Sequence, residues 1–161
     1  MSMGQADTVT GFRIVAPRWV QSALSGEGAR KYGGRWNSPG RPMVYLGGSR
    51  ALCALEMLVH LTSPLSRAKP YFIIKVEVPV NLISDYPINI LPQSWRKHPP
   101  NTLTMEIGDD WLQASSQLAL RIPSAIIPEE TNILINPLHK DFQKIQVSEP
   151  TDFSFDPRLD H

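Results

Sequence analysis

The sequence predicts an α+β fold: mostly antiparallel sheets with a few helices. Two observations carry this. Strand-like runs come in clusters and do not alternate regularly with helices, as a doubly wound sheet would require. Fifteen prolines in 161 residues predict short elements with many turns, which argues against a helical bundle. The length suits one domain, residues 1–161, built on one core.

The elements follow in chain order. Met1 to Gly11 reads as a frayed lead-in. Phe12-Arg13-Ile14-Val15 alternates apolar and polar and predicts a first short strand, ended by Pro17. A helical turn runs through Val20 and Leu24. From Ser25 to Pro42 the chain is rich in Gly, Ser, Asn and Pro, a long loop by composition and of a length often tied to function. Met43 to Leu46 is a strand closed by Gly47-Gly48. Ser49 is a good N-cap for a helix over Ala51–Leu61, whose apolar residues predict burial almost all round, with Pro64 as its stop. Tyr71 to Val78 is a strand with Phe72, Ile74, Val76 and Val78 on one face. Asn81 to Asp85 adds a small strand, Leu91 to Pro100 is proline-broken, and Thr104 to Ala114 makes an amphipathic helix. Strands follow at Leu118–Ile122, Ala125–Ile127 and Asn132–Ile135, then a turn at Asn136-Pro137 and a short helix or turn over Asp141–Ile145. Weak alternation at Phe153 and Phe155 suggests an edge strand in the tail.

Bulk properties exclude several classes. Net charge is +1, so nothing global points to nucleic acid or an anionic membrane. One cysteine, Cys53, rules out an internal disulfide and fits a reducing cytoplasm. No apolar run approaches the ~20 residues of a membrane helix, and the start lacks the apolar core of a signal peptide. The four histidines are scattered without ligand spacing, so no metal site is expected. No GxSxG elbow, P-loop or GxGxxG is present. The basic residues do not interleave with aromatics, which disfavours nucleic-acid binding.

Charge is uneven along the chain. No acidic residue lies between Glu27 and Glu56, while that span holds Arg30, Lys31, Arg35, Arg41 and Arg50. Gly33 and Gly34 can turn backbone N–H groups toward an anion, and Arg35 can fork onto a phosphate. A solvated basic loop accounts for the same composition, which does not separate the two readings. Glu56 is the sharper signal, because a carboxylate on so apolar a helix is costly to bury unpaired. Either it faces a cleft, or it stays protonated, or it pairs with a cation such as Arg35 or Arg50. Strand packing accounts for Tyr45, turn hydrogen bonding for Ser124, and turn formation for Asn132 and Asn136. Cys53 on an apolar helix reads as inert packing.

Taken together, Phe12–Val15, Gly26–Arg30, Gly33–Asn37, Val44-Tyr45, Ala54–His60, Pro123–Ala125 and Asn132–Pro137 resemble the RES-domain family, toxins of bacterial RES–Xre toxin–antitoxin modules. The resemblance covers about residues 12–142, leaving a short tail. It implies a fold similar to ADP-ribosyltransferase toxins and a cleft for NAD+. The implied activity is cleavage of the nicotinamide–ribose bond, as hydrolase or phosphorylase, which halts growth. An ADP-ribosyltransferase acting on a protein is the alternative, and a non-enzymatic nucleotide- or partner-binding module the second alternative. The resemblance makes Arg35, Tyr45, Glu56 and Ser124 the catalytic set, with Arg30 competing for the arginine's place. Arg35, Tyr45, Gly34, Trp36, Arg30 and Asn132 form the expected binding set, with Trp36 as a pocket wall and Ser124 on the ribose or amide. No cofactor is implied beyond NAD+ as substrate. The implied partner is an Xre-type helix-turn-helix antitoxin covering the cleft, in a cytoplasmic complex that can hold a toxin homodimer.

Overall fold

Period-two alternation builds one eight-stranded sheet in the computed structural model, which describes residues 7–160. The strands are β1 (Thr8–Val15), β2 (Val44–Gly47), β3 (Tyr71–Pro79), β4 (Ile83–Asp85), β5 (Ala119–Pro123), β6 (Thr131–Ile135), β7 (Gln146–Val147) and β8 (Thr151–Phe153). Their order is β4-β5-β6-β2-β1-β3-β7, and β8 also pairs with β3. Only β4 and β5 run parallel; the other pairings are antiparallel. The helices are α1 (Glu27–Tyr32), α2 (Arg50–Leu58), α3 (Pro64–Ala68) and α4 (Thr102–Ala114). The α+β class with mostly antiparallel pairing is what the chain adopts.

Several elements depart from the sequence expectation for local reasons. Part of the expected lead-in, residues 8–11, belongs to β1 and pairs with β3, while residues 1–6 lie outside the described residues. The long loop over 25–42 contains α1, a six-residue helix that the surrounding glycines conceal in any compositional window. The helix expected over 51–61 ends at Leu58. It is buried on one face only, through Leu52 and Cys53, while Leu55 and Val59 are exposed. Pro64 does not merely stop it. It opens α3, where a proline's missing N–H costs nothing, behind a Ser63 cap. Ala125–Ile127 is a bend, not a strand, because the Ser124 hydroxyl accepts the amides of Ile126 (3.0 Å) and Ile127 (3.1 Å) and takes those donors from any ladder. The tail adds two short strands, β7 and β8, both on β3.

The two sheet faces are packed differently. On one, Val15, Val44, Leu46, Ile74, Val76, Val78, Ile133 and Ile135 join a single core. On the other, two separate clusters form. Phe12, Ile14, Tyr71 and Ile73 pack under Cys53 and Met57 of α2. Leu120, Ile122, Leu134 and Tyr45 pack under Trp36, Trp95 and the α4 residues Ile107 and Trp111. Register places Phe12, Gly47, Asn132 and Ile122 side by side across β1, β2, β6 and β5. Directly paired residues share a face. This cross-strand row therefore runs from one cluster to the other, with Gly47 and Asn132 at its middle. Gly47 is where α2 comes down on the sheet, since a Cβ there would lie 2.7 Å from the Cys53 backbone.

Candidate functional site

The site grows from that row. Ser49 caps α2 by accepting the amide of Leu52 at 3.0 Å, and the helix then carries Glu56 out over Asn132. Ser124 continues the Leu120–Ile122 alternation just beyond β5, on the same face. Glu56 Oε1 accepts two hydrogen bonds, from the Ser124 hydroxyl and from Asn132 Nδ2, each at 2.7 Å. Among the described residues Oε2 takes no hydrogen bond from the protein, and no ion pair involves Glu56. Of the alternatives open for Glu56, pairing with Arg35 or Arg50 does not occur among the described residues. Arg50 lies over the Phe12 ring at 4.4 Å, and Arg35 Nη1 donates to the carbonyls of Trp95 and Lys97, each at 2.8 Å. Two neutral donors thus hold one oxygen of the carboxylate and leave the other without a protein partner among the described residues.

Arg35 is the cation that belongs to this centre. Burial lowers its pKa, Glu56 and Tyr45 act to raise it, and Arg96 lowers it. Glu56 and Arg96 are therefore the charges near its guanidinium, while Tyr45 is a neutral phenol at neutral pH. Arg30 makes no hydrogen bond or ion pair to the centre among the described residues. It sits on α1, exposed, in an i,i+3 pair with Glu27 at 2.8 Å. Arg41 approaches Asp109 at 3.9 Å, so two of the five cations in that span have acidic partners, Glu27 close in sequence and Asp109 far from it.

The glycine-rich loop serves structure more than anion binding. The Gly33 amide donates to Ala29 O (2.8 Å) and the Gly34 amide to Asn37 O (2.9 Å), so neither is free to face an anion. Gly34 matters for room, because a Cβ would lie 2.7 Å from the Tyr45 hydroxyl. That hydroxyl donates to Asn37 Oδ1 at 2.5 Å and accepts the Trp36 amide at 3.2 Å. Burial pushes its pKa well above the ordinary phenol value, so it remains a donor at neutral pH. Tyr45 therefore anchors the Arg35 loop from below. Trp36, expected as a pocket wall, is buried against Trp95 with ring centroids 6.4 Å apart. Ser124, expected on the ribose or amide, is fully buried, and its proton is directed to Glu56.

Sequence reasoning missed two partners, Asn37 and Arg96. Asn132, a turn former by residue type and a binding residue by the resemblance, lies on the site face through its alternation with Leu134 and holds Glu56. Asn37 is fully buried and donates through Nδ2 to Ala29, Ser38 and Arg41 carbonyls, which stitches the loop. Arg96 lies in the proline-broken segment and carried no periodic signal. A cavity of about 250 Å³ opens beside the start of α2, lined by Gly48, Ser49, Glu129, Glu130 and Thr131. Its two carboxylates make it a poor seat for a phosphate. Among the described residues no group of three or more His, Cys, Asp or Glu side chains is arranged to hold a metal ion, and no helix is long and apolar enough to cross a membrane.

A family model described as the RES domain matches residues 10–156. A protein named Toxin Res from Photorhabdus laumondii is 41% identical over 149 residues, covering 92% of this chain and 95% of that protein. A Prs ADP-ribosylating toxin from a Sphingobium species is 39% identical over 142 residues, covering 84% of this chain and 86% of its own. The NAD(+) phosphorylase MbcT of Mycobacterium tuberculosis shares 53% identity over 38 residues, 23% of this chain and 20% of that protein. A solved MbcT–MbcA toxin–antitoxin complex from M. tuberculosis superimposes with a TM-score of 0.73 at 21% identity, over 96% of this chain and 87% of that one. At that identity the likeness concerns the fold.

Proposed function

The chain belongs to the RES-domain family, and from that premise we propose that it is the toxin of a toxin–antitoxin module that consumes NAD+. The observation that carries the reading is the Glu56 carboxylate, held through Oε1 by two neutral donors, with Oε2 unengaged and no cation paired to it among the described residues. Cleavage of the nicotinamide–ribose bond sends its electron pair to the nicotinamide nitrogen and leaves positive charge on the ribose. A carboxylate fixed before the reaction stabilises that charge without reorganising. Water, phosphate or a protein nucleophile then adds at the anomeric carbon. Glu56 and Arg35 are the groups assigned to substrate: Glu56 at the ribose, Arg35 at the phosphates. Ser124 and Asn132 position Glu56, and Tyr45 positions the Arg35 loop.

Two relatives favour different acceptors. The phosphorylase name of MbcT supports release of a small product, and the ADP-ribosylating name of the Sphingobium toxin supports transfer to a protein. The antitoxin partner is supported by the MbcT–MbcA complex; an Xre-type antitoxin over the cleft, a toxin homodimer and a cytoplasmic site of action complete the proposal. The deciding experiment incubates antitoxin-free protein with labelled NAD+, phosphate and a cell lysate. Free ADP-ribose means hydrolysis, ADP-ribose-1″-phosphate means phosphorolysis, and label on a protein band means transfer. No release of nicotinamide under any condition overturns the enzymatic reading.

A further inference from the structure

Arg96 is the residue that the proposed function leaves unused. It lies in the irregular segment before α4, exposed, flanked by the two residues whose carbonyls Arg35 Nη1 grips. Arg96 Nε in turn donates to Ala125 O at 2.8 Å, and Nη2 approaches Ile126 O at 3.5 Å. Those carbonyls belong to the bend whose amides the Ser124 hydroxyl accepts, and that hydroxyl donates to Glu56. One chain of contacts therefore links Arg35, the Trp95–Lys97 segment, Arg96, the Ser124–Ile127 bend and Glu56. It fixes two guanidinium groups and one carboxylate relative to each other.

Both guanidinium groups keep N–H donors in reserve. Arg35 uses Nη1 for its carbonyls and Arg96 uses mainly Nε, so the remaining donors of each are unspent on protein. Among the described residues neither forms an ion pair, whereas Arg30, Arg41, Arg67, Arg121 and Arg158 all do. Arg35 also feels the charge of Arg96, and like charges held close are unfavourable until an anion bridges them. A diphosphate offers oxygens on two adjacent phosphorus atoms, which suits two fixed guanidinium forks better than one.

We propose that Arg96 is a second substrate-binding residue, pairing with Arg35 to hold the diphosphate of a dinucleotide whose ribose lies at Glu56. This inference rests on the NAD+ reading of the site. It separates Arg96 from a purely structural tie, because a tie would act on every substrate alike. The test compares wild type with Arg96→Gln and Arg96→Lys on NAD+ and on nicotinamide riboside, which lacks the diphosphate, with ADP-ribose binding measured by calorimetry. Arg96→Gln is expected to raise KM for NAD+ and weaken ADP-ribose binding roughly ten- to hundredfold, with kcat nearly unchanged. Arg96→Lys, which keeps the charge, falls between, and the nicotinamide riboside rates of all three proteins coincide. An unchanged KM and ADP-ribose affinity in Arg96→Gln overturns the proposal, as does an equal loss on nicotinamide riboside. If wild type fails to consume NAD+, the function proposed above is lost and calorimetry still decides Arg96; absence of ADP-ribose binding by wild type also overturns it.

Discussion

The two halves of the site are built by opposite means. The carboxylate half rests on regular elements: Glu56 on α2, Asn132 on β6 and Ser124 at the end of β5, joined by side-chain hydrogen bonds of 2.7 Å. The cationic half rests on irregular chain: Arg35 in a loop and Arg96 in a proline-broken segment, both held through main-chain carbonyls. The difference teaches how each is fragile. A strand-borne clamp depends on a few side chains and fails by single substitutions. A carbonyl-borne clamp depends on loop conformation, which Tyr45, Asn37 and the Ser38–Asp109 contacts maintain from underneath.

The largest expected effect breaks the carboxylate half outright. Glu56→Gln keeps the shape and removes the charge, and NAD+ consumption should fall about 10²- to 10³-fold. Nicotinamide release is the readout; a loss under about tenfold removes Glu56 from the chemistry, since even modest acid–base roles exceed that.

Next comes the support beneath that half. Cys53 lies on the buried face of α2, and burial raises its thiol pKa from 9.0 to about 11. A thiol with a raised pKa holds its proton in the folded state where the unfolded chain would release it. Its contribution is therefore intact below pH 9 and is lost as pH climbs through 11, by about 2–3 kcal/mol. Denaturant unfolding between pH 9 and 11 should show this decline in wild type and a shallower one in Cys53→Ala. Equal slopes would mean that the thiol has no part in it.

A smaller effect sharpens the clamp itself. Ser124→Ala and Asn132→Ala each remove one donor to Oε1, and each should cost about 1–2 kcal/mol in transition-state stabilisation. Both donors act on one oxygen, so the double variant should lose a different amount from the sum. Strict additivity in kcat/KM would show that they do not work through Glu56. Smallest of all is Arg30→Ala. An exposed i,i+3 pair contributes about 0.5 kcal/mol or less, so turnover and stability should match wild type. A large activity loss would return Arg30 to the site and unseat Arg35.

Much of the frame was legible because it is written in local periodicity. The β3 alternation, the Ser49 cap and the amphipathic pattern of α4 each involve residues a few positions apart. The same locality explains the misses. Leu55 and Val59 have the composition of core residues, and only the placement of α2 on one sheet face decides that they are exposed. The resemblance put Trp36 and Ser124 on the ligand, whereas tertiary packing sets one against Trp95 and directs the proton of the other to Glu56. Arg96 carried no signal, since its partners lie 29 and 30 residues away.

By itself the sequence determined the class of fold, the family, and the presence of an anomalous carboxylate on an apolar helix near a cation-rich loop. Only the tertiary structure decided what that carboxylate meets. Glu56 lies 68 residues from Ser124 and 76 from Asn132. Nothing in the intervening chain encodes those contacts; they follow from strand register. Gly47 faces Asn132 across β2 and β6, so α2, drawn close over a residue without a side chain, delivers Glu56 to them.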